Sequence, residues 1–159
     1  VVRVFIGIGA NLDDPEVQVR TALRELDGVP GTRLAAGSSL YRNPPMGPPD
    51  QPDYVNAVAM LETALEPEPL LDALLAIEAA HGRERGRRWG ERVLDLDLLL
   101  YGDRRVDTPR LTVPHPGIAE RRFVLEPLAE LDPQLRVPGL GSVGELLAAC
   151  PATPMERLP

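Results

Sequence analysis

The nine residues Val93-Leu94-Asp95-Leu96-Asp97-Leu98-Leu99-Leu100-Tyr101 constrain the fold more than any other part of the chain. Their period is two, which an extended strand satisfies and a helix does not. Leu94, Leu96, Leu98 and Leu100 then give an unbroken apolar face for a core. Val93, Asp95, Asp97, Leu99 and Tyr101 take the other face. Asp95 and Asp97 would stand about 6.6 Å apart on it. Asp is a poor strand residue, and like charges on one face repel. Either that face is solvated, or a divalent cation between the carboxylates turns repulsion into binding. Hard carboxylates together with phosphate oxygens are what Mg2+ takes.

The segment just upstream, Gly82 to Arg92, carries five arginines and Trp89, the sole tryptophan. Arg presents a planar fork of donors to phosphate oxygens. An Arg-rich loop beside a carboxylate pair suggests a polyphosphate, neutralised by metal on one side and guanidinium on the other. A large aromatic in such a polar loop suggests that it covers a flat ring. The charge distribution agrees. Residues 82–123 carry +3, while the chain as a whole carries −7. A locally basic segment in an acidic protein suits a small anion better than a nucleic acid.

The remaining elements follow from periodicity and punctuation. Val2–Ile8 reads as a buried strand, followed by a turn at Gly9–Leu12. Asp13 or Asp14 caps a helix with Pro15 near its first position, and Gly28 ends it. Residues 32–43 form a second strand, and a Pro/Gly-rich loop spans Pro44–Pro52. Tyr54–Glu62 is a third strand, Pro67–His81 a second helix, and Val93–Tyr101 the fourth strand. The order β-α-β-β-α-β predicts the α+β class, with a ferredoxin-like core. The tail from residue 105 adds shorter strands, a His-containing loop and a helix around Val143–Ala149. A length of 159 residues suits a single domain, 1–159. The start of the sequence has no signal-peptide pattern, and no apolar run reaches the ~20 residues of a membrane span. With Cys150 as the only cysteine, these features predict a cytoplasmic protein without internal disulfides.

Other residues carry possible chemistry. His115, bracketed by Pro114 and Pro116 with Arg110 and Arg121 nearby, could be structural or could bond phosphate. His81, at a helix end, reads as a helix-terminal charge. Glu78 follows Leu71 and Leu75 on an apolar helix face. Its carboxylate needs either a buried Arg or a ligand donor. Tyr54 and Asn56 share a strand face, where one could stack on a flat heterocycle and the other read its edge. Phe123 could supply a second plate.

These segments together resemble the 6-hydroxymethyl-7,8-dihydropterin pyrophosphokinase family. The resemblance rests on Ile8-Gly9-Ala10-Asn11-Leu12, Tyr41-Arg42-Asn43-Pro44-Pro45-Met46-Gly47, Asp50-Gln51-Pro52-Asp53-Tyr54-Val55-Asn56, Arg88-Trp89-Gly90 and Arg92 through Asp97. Leu111 through His115 and Arg121-Arg122-Phe123 complete it. It implies ATP and the pterin alcohol as substrates, and AMP and the pterin pyrophosphate as products. Asp95 and Asp97 are implied to hold two Mg2+ ions. Arg83, Arg92 and His115 are implied to join them in catalysis. The implied nucleotide site comprises Glu78, Arg83, Arg85, Trp89, Arg92, Leu98, Arg110, Leu111, Thr112, His115 and Arg121. The implied pterin site comprises Asn43, Pro44, Met46, Tyr54, Asn56, Trp89, Asp95 and Phe123. Asn43 stands where the family often has Thr, and Leu75 where it often has a polar adenine contact. The expected partners are these small molecules, without nucleic acid or membrane, acting on a monomer. An RNA-binding module of the same strand order would need stacking aromatics and a basic sheet, against 4% aromatic residues and an acidic balance here.

Overall fold

The computed structural model describes residues 1–45, 50–82 and 93–159. Among these, β1 (Val2–Ala10), α1 (Pro15–Asp27), β2 (Thr32–Gly37), β3 (Tyr41–Asn43), β4 (Tyr54–Thr63), α2 (Pro67–Ala80) and β5 (Asp95–Tyr101) come first. The short pairs β6 (Val106–Asp107) and β7 (Thr112–Val113) follow, then α3 (Arg122–Leu131). The strands β8 (Arg136–Val137) and β9 (Gly141–Ser142), α4 (Val143–Ala149) and β10 (Glu156–Arg157) complete the chain. The main sheet runs β10-β3-β4-β1-β5, with β2 also on β4, and every pairing is antiparallel. The described residues thus form a mixed α/β structure with one principal sheet and four α-helices.

Both faces of the sheet are covered. On one, α1 and α2 pack Val19, Ala22, Leu26, Leu70 and Leu74 against Val4, Ile6, Ile8, Leu96 and Leu98. On the other, α3 and α4 pack Val124, Leu125, Leu128 and Val143 against Phe5, Val58 and Leu100. A one-residue slip of β5 would expose Leu94, Leu96 and Leu98 and turn two carboxylates inward. Each fully buried Leu contributes roughly 1.5–3 kcal/mol, so this register is strongly held.

Four expectations for the strands and α1 change. First, the apolar alternation of β5 does not run to its end. Phe5 pairs with Leu100 but Ile6 with Leu98, so Leu99 is an extra residue in a β-bulge. Beyond it the faces exchange. Leu100 joins the α3 side and Tyr101 the α1/α2 side, where its hydroxyl donates to Leu65 O at 2.5 Å. Second, the strand expected over 32–43 breaks after Gly37. Ser38 Oγ accepts the Val58 N–H at 2.9 Å, in place of a main-chain carbonyl. The Ser39 N–H turns instead to the Glu130 carboxylate. Third, Gly9 and Ala10 continue β1 rather than opening a turn. Fourth, Asp14 precedes α1 in a left-handed conformation (φ 58°) and makes no side-chain cap.

The helix α3 lies where sequence periodicity predicts only loop and short strands. It holds Pro127 in its interior, a residue that removes one helical hydrogen bond. The helix persists because Val124, Leu125 and Leu128 are buried on the sheet. His81, expected as a helix-end charge, ties α2 to α1 instead, contacting Gln18 Oε1 through Nδ1 and Glu25 through Nε2.

Candidate active site

The site is built on glycines. Along β1, Phe5, Gly7 and Gly9 share the face that looks toward α3, and only Phe5 fills its place with a side chain. The two glycines leave a cavity between the sheet and the first turn of α3. Register sets what surrounds it. Gly9 pairs with Asn56 of β4 on one side and with Asp95 of β5 on the other, while Gly7 pairs with Asp97. Asn43 enters from β3, whose Tyr41 pairs with Asn56. Tyr54, Asn56, Asp95, Asp97, Arg121 and Phe123 all line the cavity.

One wall reads hydrogen bonds. Asn56 Nδ2 donates to Asn43 Oδ1 at 2.5 Å, and Asn43 Nδ2 donates to Pro44 O at 3.1 Å. Both amides are buried, so their remaining donor and acceptor positions are aligned in advance. Gly9 makes this arrangement possible. A Cβ on it would lie 2.7 Å from Asn56 Oδ1, well inside contact distance. The flanking aromatics are Tyr54 and Phe123, and the Arg121 guanidinium stacks 5.9 Å from the Phe123 ring centroid.

The opposite edge is electrostatic. Asp97 Oδ2 lies 3.8 Å from His115 Nε2 and 3.9 Å from Arg121 Nη1. His115 reaches it because the chain wraps the edge of the sheet. Leu111 and Val113 pack on the α1/α2 side, and the His115 N–H then bonds Leu99 O at 3.0 Å. The Gly117 N–H donates to His115 Nδ1 at 3.1 Å, which puts the proton of a neutral ring on Nε2, facing Asp97. Burial, then the Arg121 charge, push the His115 pKa down to about 4, against a smaller upward pull from Asp95. The imidazole is therefore a neutral N–H donor at neutral pH.

Asp95 and Asp97 are the residues that could hold a metal. Among the described residues no cluster of three His, Cys, Asp or Glu exists that could do so alone. Two carboxylates on one strand face over glycine nevertheless fit Mg2+, which commonly takes one or two carboxylates and completes its shell with water and phosphate.

Not every expected residue reaches the cavity. Alternation along β5 turns Leu98 to the opposite face, where it packs with Leu111 in the core beneath α2. Glu78 is buried on that same side, and its Oε2 accepts the Leu96 N–H at 2.7 Å. Arg110 is partly exposed and pairs with Glu68 at 3.3 Å and Asp72 at 2.5 Å of α2. Thr112 is exposed on β7, and Leu75 is exposed on α2. Pro44 is exposed beside Asn43. Met46, Arg83, Arg85, Trp89 and Arg92 lie outside the described residues. Sequence reasoning missed Gly7 and Val124 as cavity residues, and it read Gly9 only as part of a turn and a motif. The spacing Phe5-x-Gly7-x-Gly9 in an otherwise bulky strand was the available signal.

A flat slot with an amide wall, joined to a carboxylate pair flanked by neutral imidazole and guanidinium, defines a class of small-molecule enzyme that handles a planar ring and an anion together. The chain belongs to the 7,8-dihydro-6-hydroxymethylpterin-pyrophosphokinase (HPPK) family, whose model matches residues 5–133. It is 53% identical over 157 residues to the 2-amino-4-hydroxy-6-hydroxymethyldihydropteridine pyrophosphokinase of Pseudomonas aeruginosa, covering 99% of this chain and 97% of that one. The enzyme of the same name from Haemophilus influenzae is 47% identical over 146 residues, covering 92% of this chain and 91% of the relative. Among solved structures, the chain is similar to Plasmodium falciparum HPPK-DHPS, wild type with SDX-DHP, with a TM-score of 0.70 at 13% identity. That match covers 94% of this chain and 43% of the solved one. The same wild-type protein with pteroate gives a TM-score of 0.75 at 12% identity, covering 93% and 42%. At such identities the likeness is one of fold, and this chain spans less than half of those longer proteins.

Proposed function

We propose that this cavity is where a pyrophosphoryl group passes from ATP to 6-hydroxymethyl-7,8-dihydropterin, giving AMP and the pterin pyrophosphate for folate biosynthesis. The observation that carries the site assignment is the Gly9 row. Asn56 on one side of Gly9 and Asp95 on the other put the ring-reading wall and the carboxylate edge into a single cavity.

In this reading Tyr54 and Phe123 stack on the pterin, and the Asn43–Asn56 pair hydrogen-bonds its edge. Asp95 and Asp97 would hold Mg2+, two ions in the full complex, which would neutralise phosphate oxygens when bound. His115 Nε2–H donates to a phosphate oxygen, and Arg121 adds positive charge at the same edge. The hydroxymethyl oxygen forms a bond to the β-phosphorus as the α–β bridging P–O bond breaks. AMP carries away the bridging oxygen, and the hydroxyl proton is released. The chain's contribution is position and fixed charge rather than covalent chemistry. Arg110, Leu111, Thr112, Leu98 and Glu78 would serve the nucleotide from the strand edge and the α2 side. Arg83, Arg85, Trp89 and Arg92 would act from the segment upstream of β5, and Pro44 and Met46 at the pterin mouth.

The finer fold reading is a ferredoxin-like core within one domain of residues 1–159. It is supported by the order of β4, β1 and β5 with β2 and β3 sharing the far edge of β4. We place the enzyme in the cytoplasm as a monomer acting on small molecules. Its buried single cysteine is in keeping with a reducing compartment, and its net charge of −7 is in keeping with no nucleic-acid partner. The test is incubation with ATP, Mg2+ and the pterin alcohol. AMP appearing in step with pterin pyrophosphate is the expected result, and ADP as the product would overturn the reading.

A further inference from the structure

The carboxylate of Glu130, in the last turn of α3, has no part in the chemistry above. Acid there opposes the helix dipole, so its placement needs another reason. It accepts from Tyr41 Oη at 2.6 Å, from Ser39 N at 2.9 Å and Ser39 Oγ at 3.0 Å, and it pairs with Arg157 at 3.0 Å. Arg157 closes the ring, donating from Nε to Ser39 Oγ at 2.9 Å and lying 5.9 Å from the Tyr41 ring centroid. Four segments meet here: the break after β2, β3, β10 and α3.

Two of them are walls of the cavity. β3 carries Asn43 two residues beyond Tyr41, about 6.6 Å along the strand. α3 carries Phe123 and Val124 at its other end, roughly 10 Å from Glu130. The two elements therefore run alongside each other, joined at Glu130–Tyr41 and parted at the cavity by whatever lies between Asn43 and Phe123.

We propose that Glu130 is a positioning residue for the ring-binding slot, fixing the separation of the β3 and α3 walls through Tyr41 and Ser39. The inference rests on the pterin reading of the cavity. The Asp97–His115 edge belongs to β5 and to the segment before α3, which Glu130 does not touch, and Arg121 is held there by Asp97 as well as by Phe123, so phosphate binding is largely spared.

The experiment measures Kd for the pterin alcohol, in the presence of Mg2+ and a non-hydrolysable ATP analogue, and Kd for the analogue itself. Glu130→Ala should weaken pterin binding about tenfold, the scale of losing several side-chain hydrogen bonds at once, and move analogue binding by less than about twofold. Glu130→Gln keeps an acceptor for Tyr41 and Ser39 and should restore most of the pterin affinity. If Glu130→Ala fails to fold, Tyr41→Phe removes only the hydroxyl and should weaken pterin binding about threefold with analogue binding unchanged. Equal losses for both ligands would overturn the proposal. So would a lower thermal midpoint with pterin affinity intact, which would leave Glu130 a purely structural tie. Failure of the wild-type chain to bind pterin would overturn the functional reading first, and this inference with it.

Discussion

Gly9 and Asn56 face each other across β1 and β4, and the side chain of Asn56 occupies the volume that a Cβ on residue 9 would need. Gly9→Ala would push the Asn56 amide off Asn43 and fill the floor of the cavity. The expected result is loss of pterin affinity by tenfold or more, roughly the cost of a displaced buried hydrogen bond plus steric overlap. Nucleotide affinity should remain. Calorimetric titration with each ligand separates the two.

Asp95 and Asp97 test the metal edge. Asp95→Ala and Asp97→Ala should each lower turnover by at least about a thousandfold, the scale of losing transition-state charge stabilisation. The thermal midpoint should not fall, because removing one of two like charges on a strand face relieves repulsion. Near-normal activity of either variant with Mg2+ would sink the assignment.

Acid stability should show two successive losses. His115 has its folded pKa near 4, below the ordinary imidazole value of 6.5, so the unfolded chain binds the extra proton between those values. Stability therefore falls as pH drops from 6.5 toward 4, by something on the order of 3 kcal/mol. Glu130 acts lower. Burial alone would raise its carboxyl, but hydrogen bonds from Tyr41 and Ser39 and the Arg157 charge outweigh burial and hold it below 4.5. Its contribution is complete above 4.5 and vanishes as pH falls through the folded value. Urea midpoints measured against pH should flatten above pH 4 in His115→Asn and only below pH 4.5 in Glu130→Gln.

Glu78 is buried with its Oε2 on the Leu96 N–H, between the two aspartates in sequence. Glu78→Ala would leave that amide without this acceptor and open space in the core. A loss of about 2–4 kcal/mol in unfolding free energy is expected, read by denaturant titration. A loss below about 0.5 kcal/mol would show that water or another group replaces the carboxylate without cost.

Much of this was legible in sequence because the strongest signals are local. Leucines at every second position fix the face of β5, and hence of Asp95 and Asp97. Capless α1 and α2 were legible from apolar spacing and from Pro15 and Pro67. What sequence did not disclose depends on partners far along the chain. The break at Ser38 is made by Val58 and by Glu130, which lies 91 residues from Ser39. α3 contains a proline and no side-chain cap, and what holds it are its contacts with the sheet and α4 and the Glu130 bonds, all to residues distant in sequence. Gly7 and Gly9 escaped notice as site residues because a residue without a side chain advertises no chemistry. His115 carried two readings in sequence. The Gly117 N–H on Nδ1 is what directs its other nitrogen at Asp97.

The extra residue at Leu99 shifts the phase of a strand that must serve two masters. Upstream of it, odd positions belong to the substrate; downstream, Tyr101 belongs to the scaffold. Without the bulge, with Leu99 held in a regular ladder, one continuous alternation would force a choice. Either Tyr101 keeps its seat and both carboxylates rotate into oil, or the carboxylates stay and Tyr101 swings out of the core. The bulge thus uncouples two selective pressures on a single seven-residue strand, so that scaffold and chemistry can each vary without dragging the other.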